Sequence, residues 1–167
     1  IRFPQEKSGT YTIPAGVKTI SQYAFKKSRK LTEIVIPDSV SNIGEGAFYG
    51  CRSLTNITLP KKVTKIHPYT FYNCLSLKNI KLNSSIKRLG YKAFKKCKSL
   101  ESLTIPKNIT KIESETFKEC ENLKKVVLPS TLETIAYKAF SNCNSLNTIK
   151  LPNGLELIDD YAFYACN

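Results

Sequence analysis

The chain has 167 residues, 41% of them hydrophobic and 23% charged, the size and make-up of one ordinary soluble domain. No apolar run approaches the roughly 20 residues that a membrane-spanning helix needs, so no span is expected. The formal charge of +13 favours solubility and acidic partners but specifies no fold.

Cys51, Cys74, Cys97, Cys120, Cys143 and Cys166 lie 23 residues apart. A fixed period of this length marks stacked repeats, and shifting the chain by it aligns the rest. The leucine column runs Leu31, Leu54, Leu77, Leu100, Leu123, Leu146, and a phenylalanine column runs from Phe25 through Phe163. Seven of the eight phenylalanines sit in that column, which makes it structural. The unit reads L-x-x-I-x-I-P-x-x-V-x-x-I-x-x-x-A-F-x-x-C-x-x, with seven copies beginning at residues 8, 31, 54, 77, 100, 123 and 146.

In chain order, Phe3-Pro4 reads as the stub of an earlier strand end, and coil one is degenerate, with Ser8, Tyr11 and Ser28 in place of Leu, Ile and Cys. Coil two gives the clearest template. Alternation in Ile34-Val35-Ile36 predicts a strand with one face inward, which Pro37 ends because proline has no N–H for the next rung. Val40 and Ile43 predict a short second extended segment. Ala47, Phe48 and Cys51 have the i, i+3, i+4 spacing of a single helical turn. Coils three to seven repeat the template, with rungs expected near Leu54, Leu77, Leu100, Leu123 and Leu146; Asn83 alone interrupts the prolines at 37, 60, 106, 129 and 152. A lone unit cannot repay the entropy of ordering its residues, whereas stacked units share their faces. The expected architecture is a right-handed, curved solenoid forming a single domain over 1–167. Because the chain opens in mid-pattern and stops at the end of a unit, it is read as part of a longer protein.

The pattern resembles the BspA-like leucine-rich repeats, whose units run close to L-x-x-I-x-I-P-x-x-V-x-x-I-G-x-x-A-F-x-x-C. The likeness covers residues 8–167. Gly44 and Gly90 keep the family's glycine; His67, Glu113, Ala136 and Asp159 replace it, as Asn83 replaces Pro and Ser28 replaces Cys. The resemblance implies a solenoid of short parallel strands, carried by secreted or cell-surface proteins of anaerobic bacteria and mucosal protozoa and associated with adhesion to host proteins and other microbes. Fold does not fix function, so the site must be argued separately.

A line of cysteines, one per coil, does not converge as metal ligands must, so no metal is expected. Adjacent rungs ~5 Å apart do not forbid disulfides, but pairing would make alternate coils unequal. Buried free thiols acting as small hydrophobes are expected, which leaves the redox compartment open. His67 is the only histidine, and neither G-x-S-x-G nor H-E-x-x-H nor a phosphate-cradling loop occurs. No catalytic residue and no cofactor are expected. Sequons at Asn56, Asn83 and Asn108 carry no weight, since about two would arise by chance in so Asn-, Ser- and Thr-rich a chain.

Two surfaces remain as candidates. The outward strand positions, Glu33 and Val35, Asn56 and Thr58, Asn79 and Lys81, Ser102 and Thr104, Lys125 and Val127, Thr148 and Lys150, form a small, polar, nearly flat face suited to a protein. It lacks the aromatic interleaving of a single-strand nucleic-acid platform. The other surface is basic: Lys65, Arg88 and Lys111 recur two places beyond the inward Val or Ile, with Lys61, Lys62, Lys87 and Lys107 at the adjoining turns. None of these columns brings an acid onto those coils. The preferred reading is a protein-binding module whose strand face grips a host or microbial surface or matrix protein. Polyanion binding by the basic flank, to a sulfated or acidic glycan and less readily to nucleic acid, is the alternative; an intracellular scaffold and an enzyme rank below.

Overall fold

A computed structural model describes residues 8–166; the Phe3-Pro4 stub lies outside them. The fold is a parallel-strand β-solenoid of about seven turns. The first strand of each coil is β1 (Gly9–Thr12), β3 (Leu31–Val35), β5 (Asn56–Thr58), β7 (Asn79–Lys81), β9 (Ser102–Thr104) and β11 (Lys125–Val127). The second, shorter segments are β2 (Thr19–Ile20), β4 (Asn42–Ile43), β6 (Lys65–Ile66), β8 (Arg88–Leu89), β10 (Lys111–Ile112), β12 (Thr134–Ile135) and β13 (Leu157–Ile158). Every pairing is parallel. Asn56 lies opposite Asn79 and Ile57 opposite Ile80, so the sequence period is also the ladder register.

Among the described residues the register slips only in coil one, between Gly9 and Thr10. There Ser8 stands where later coils bury a leucine, and Gly9 takes a φ of 81°. Ladder bonding also stops between β7 and β9 among the first strands, and between β4 and β6 and β8 and β10 among the second segments, although the members of each pair remain neighbours. In coil seven the expected rung at Leu146 is not a regular strand: the Asn147 N–H turns back to the Ser145 carbonyl (3.1 Å), and Ile149 is only half-buried. That coil meets a neighbour on one side only among the described residues.

Leu31, Leu54, Leu77, Leu100 and Leu123 are fully buried in a line. Beside them the phenylalanines stack face to face, with centroids 5.4 Å apart for Phe25–Phe48, 5.5 Å for Phe48–Phe71 and 5.2 Å for Phe117–Phe140. All six cysteines are free. Each thiol donates to the carbonyl of a phenylalanine on the preceding coil, from Cys51 to Phe25 (3.0 Å) through Cys166 to Phe140 (3.2 Å). Burial pushes the Cys51 thiol up to about 12 and drives those of Cys74, Cys97 and Cys120 well above their ordinary value. These sulfurs pack; they are not poised nucleophiles.

The expected helical turn over 47–51 takes a different form. N–H groups alternate in direction: Ala47 and Tyr49 bond back to Gly44 and Gly46 within the coil, while Phe48 and Gly50 bond across to Thr70 and Tyr72 of the next. An α-helical turn would point every N–H along its own axis and leave none for the neighbour. The alternation forces two left-handed residues per coil, in columns running from Tyr23 to Tyr161 and from Lys27 to Ala165, each with φ between 53° and 70°. Serial tight turns thus reproduce the spacing of a helix.

Candidate functional site

The strand face positions its side chains by simple alternation: Ile57 and Ile80 turn in, and Asn56, Thr58, Asn79 and Lys81 turn out. All nine sheet-face candidates, Glu33, Asn56, Thr58, Asn79, Lys81, Ser102, Thr104, Lys125 and Lys150, are exposed. The aligned strands bring the first eight onto one surface, the strands staying neighbours where the ladder is unbonded between β7 and β9. Lys150, in coil seven, stands beyond the regular sheet. Neighbouring polar groups couple weakly along the face: Thr10 Oγ1 donates to Glu33 Oε2 (3.0 Å) and Asn79 Nδ2 to Asn56 Oδ1 (3.3 Å). Val35 and Val127 add apolar spots, 45% and 44% exposed.

The seven flank residues Lys61, Lys62, Lys65, Lys87, Arg88, Lys107 and Lys111 are exposed too, and Lys65 lies in register with Arg88. The flank is not purely basic, however. Glu113, from the neighbouring column, pairs with Arg88 (3.5 Å) and Lys111 (3.1 Å). A column-by-column search misses it because the ion pair with Arg88 crosses both a coil and a column. Beside it His67 lies half-buried in a hollow of 270 Å³ shared with Lys65, Arg88, Tyr91 and Glu113. Among the described residues no group of three or more His, Cys, Asp or Glu side chains could hold a metal, and no helix is long and apolar enough to cross a membrane.

The serial turns carry a third surface, built from tyrosines, lysines and Glu115. Tyr49 stacks on Tyr72 at 4.7 Å, and Tyr69 sets its edge against Tyr91 at 5.5 Å. Lys26 lies over the Tyr23 ring (4.8 Å), and Lys138 over both Tyr137 (4.7 Å) and Tyr161 (5.1 Å). Between these aromatics, Glu115 pairs with Lys95 (2.7 Å), Lys92 (3.3 Å) and Lys118 (3.7 Å). Burial alone would raise the Glu115 carboxyl, but hydrogen bonds and charge from Lys95 and Lys92 outweigh it and hold the group below its ordinary value. The 23-residue alignment applied to Tyr49, Tyr72 and Lys95, which share a column, would have exposed this ladder.

The sequons divide by geometry. Asn83 spends its amide on the Pro60 (2.9 Å) and Val63 (3.2 Å) carbonyls and accepts from the Ser85 N–H (2.9 Å), so it caps the corner where other coils use proline. Asn108 donates to the Ser84 carbonyl (2.7 Å).

The family described as "BspA type Leucine rich repeat region" matches in six copies, over residues 3–124 and 111–167. No curated protein matches the chain. Among solved structures, a leucine-rich repeat protein from Bacteroides ovatus is 39% identical over 95% of this chain and 46% of its own, with a TM-score of 0.90. One from Eubacterium ventriosum is 32% identical over 99% of this chain and 45% of its own, at 0.82. A leucine rich cell surface protein from Faecalibacterium prausnitzii is 34% identical over 76% of this chain and 34% of its own, at 0.73. The chain thus spans less than half the length of each.

Proposed function

The chain belongs to the BspA-type leucine-rich repeat family, and from that premise we propose that it is a non-catalytic protein-binding module, secreted or displayed at the cell surface, whose strand face adheres to a host or microbial surface or matrix protein. One observation carries the reading: the inward columns are nearly constant, while no two coils carry the same pair of outward strand residues. A repeated scaffold with unrepeated surface residues presents a specific pattern on a rigid support. The similar cell-surface protein of Faecalibacterium prausnitzii supports the location. Glu113 weakens the alternative, a flank for sulfated or acidic glycans, because it offsets part of the charge of Arg88 and Lys111.

The test is binding of the chain to arrayed purified matrix glycoproteins and to whole bacterial cells, with heparin alongside. The variant N56K/N79E/S102K should weaken a protein ligand by about tenfold or more, while K65E/R88E/K111E changes it little. Retention on heparin alone, lost in moderate salt and in the flank variant, would reverse the assignment.

A further inference from the structure

The two candidate surfaces meet at one place. Where the strands turn the corner, a groove of 590 Å³ runs across coils three to six, with Leu82, Val127 and Leu128 in its wall and Lys61, Lys81 and Lys107 around it. Leu82 and Leu128 are half-buried and Val127 is exposed, so the wall keeps apolar area facing solvent. No acidic side chain lines the groove. None of the three lysines forms an ion pair among the described residues, unlike Arg88, Lys95 and Lys111. The groove also coincides with the one irregularity of the corner column. Asn83 stands there for proline, its amide ties coil four to the Pro60 and Val63 carbonyls of coil three, and the ladder is unbonded between β7 and β9.

We propose that this corner groove binds an acidic segment of a protein partner, which seats one large apolar side chain against Leu82, Val127 and Leu128 and sets its carboxylates against Lys61, Lys81 and Lys107. The proposal rests on the protein-binding reading and narrows it to one end of the strand face. Three unpaired cations around an apolar wall complement a carboxylate–apolar–carboxylate segment; a bare polyanion would leave the wall empty. The rim charges would speed association and choose the partner's sign, and the apolar anchor would hold it.

Panning a phage-displayed random-peptide library against the chain tests this, followed by fluorescence anisotropy with a labelled synthetic copy of the enriched peptide. The expected consensus is a large apolar residue flanked by Asp or Glu. Its affinity should fall by about tenfold or more in K61E/K81E/K107E and hold in K18E/K27E/K124E, which makes the same change of charge elsewhere. Asn83→Pro alters no charge and restores the residue of the other corners; it should weaken the peptide several-fold, with circular dichroism reporting an intact fold. A neutral or basic consensus overturns the proposal, as does an acidic one indifferent to Asn83→Pro and to the three lysines. Peptides that instead depend on Asn56 and Asn79, tested in N56K/N79K, would overturn the groove and leave the strand-face reading standing. Absence of any selectable peptide overturns the groove too, and the whole-protein binding test then decides the broader reading separately.

Discussion

The strand face and the turn face of this solenoid are built from the same repeat, and the turn face pairs its side chains far more fully. On the turn face Tyr49 lies on Tyr72, Lys138 on Tyr137, and Glu115 among Lys92, Lys95 and Lys118, so the outward groups find partners on their own or the adjacent coil. On the strand face Thr10 reaches Glu33 and Asn79 reaches Asn56, but Lys81, Lys125 and Thr104 face solvent without ion pairs or hydrogen bonds of their side chains among the described residues. A surface that satisfies itself stabilises the stack. A surface that leaves polar groups to water can exchange that water for a partner at small cost to the fold. The contrast therefore predicts which substitutions act on stability and which act on binding alone.

The largest effect should come from beneath both faces. Phe94 is fully buried, between Phe71 and Phe117 in the ring stack. Phe94→Ala should cost about 3–5 kcal/mol in urea unfolding, because it leaves a cavity shared by two interfaces of a one-dimensional array. Asn79→Ala, on the strand face of the same coil, should cost less than about 0.5 kcal/mol. Equal losses in the two variants would break the distinction between scaffold and surface.

Glu115→Gln probes the turn face. Removing the charge leaves Lys92, Lys95 and Lys118 crowded around a neutral amide, and should cost about 1–2 kcal/mol at neutral pH. The pH dependence has a definite sign. A carboxyl held below its ordinary value stabilises the fold fully above that value, and the contribution is lost as pH falls through its lower folded value. The melting temperature of the parent should thus decline in acid, below the ordinary carboxylate range, and E115Q should flatten part of that decline. An identical acid profile in the two proteins would mean that the cluster adds nothing.

The columns that fix the core were legible because burial repeats: Leu54, Ile57, Phe71 and Cys74 each recur in nearly every coil, and periodicity amplifies a signal that one coil could not carry. Less legible were features that depend on relations between columns. Glu113 reaches Arg88 and Lys111 from the side, so an alignment that compares like with like does not bring them together. The helical turn was misread because Ala47, Phe48 and Cys51 keep helical spacing whether their N–H groups run along the coil or alternate across it; only the bond directions distinguish the two. The corner groove is lined in part by Asn83, visible in the sequence as a missing proline, but much of its wall comes from coils five and six.

The smallest expected effect tests the backbone of the turn face. The alternating N–H pattern needs a left-handed residue at two places per coil, and natural glycine supplies it only at Gly46 and Gly50. Elsewhere an L side chain tolerates it, as Lys27 does at φ 60°. For most residues that conformation costs about 1–2 kcal/mol, whereas glycine adopts it freely but loses about 0.5–1 kcal/mol more entropy on folding. Lys27 is exposed and forms no ion pair among the described residues, so Lys27→Gly should raise stability by about 0.5 kcal/mol, the difference between those two terms. Gly50→Ala is the mirror experiment: the nearest neighbours of an added Cβ would be the Lys27 Cγ, at 3.6 Å, and the Lys27 backbone, at 3.9 Å, both ordinary contacts, so the loss should come from the backbone and not from a clash. Opposite shifts in melting temperature for the two variants are the expected outcome. Stabilisation by alanine at 50 would mean that the cross-coil bond from residue 50 to Tyr72 does not require a left-handed residue, and that the turns can relax toward the helical form their spacing suggests.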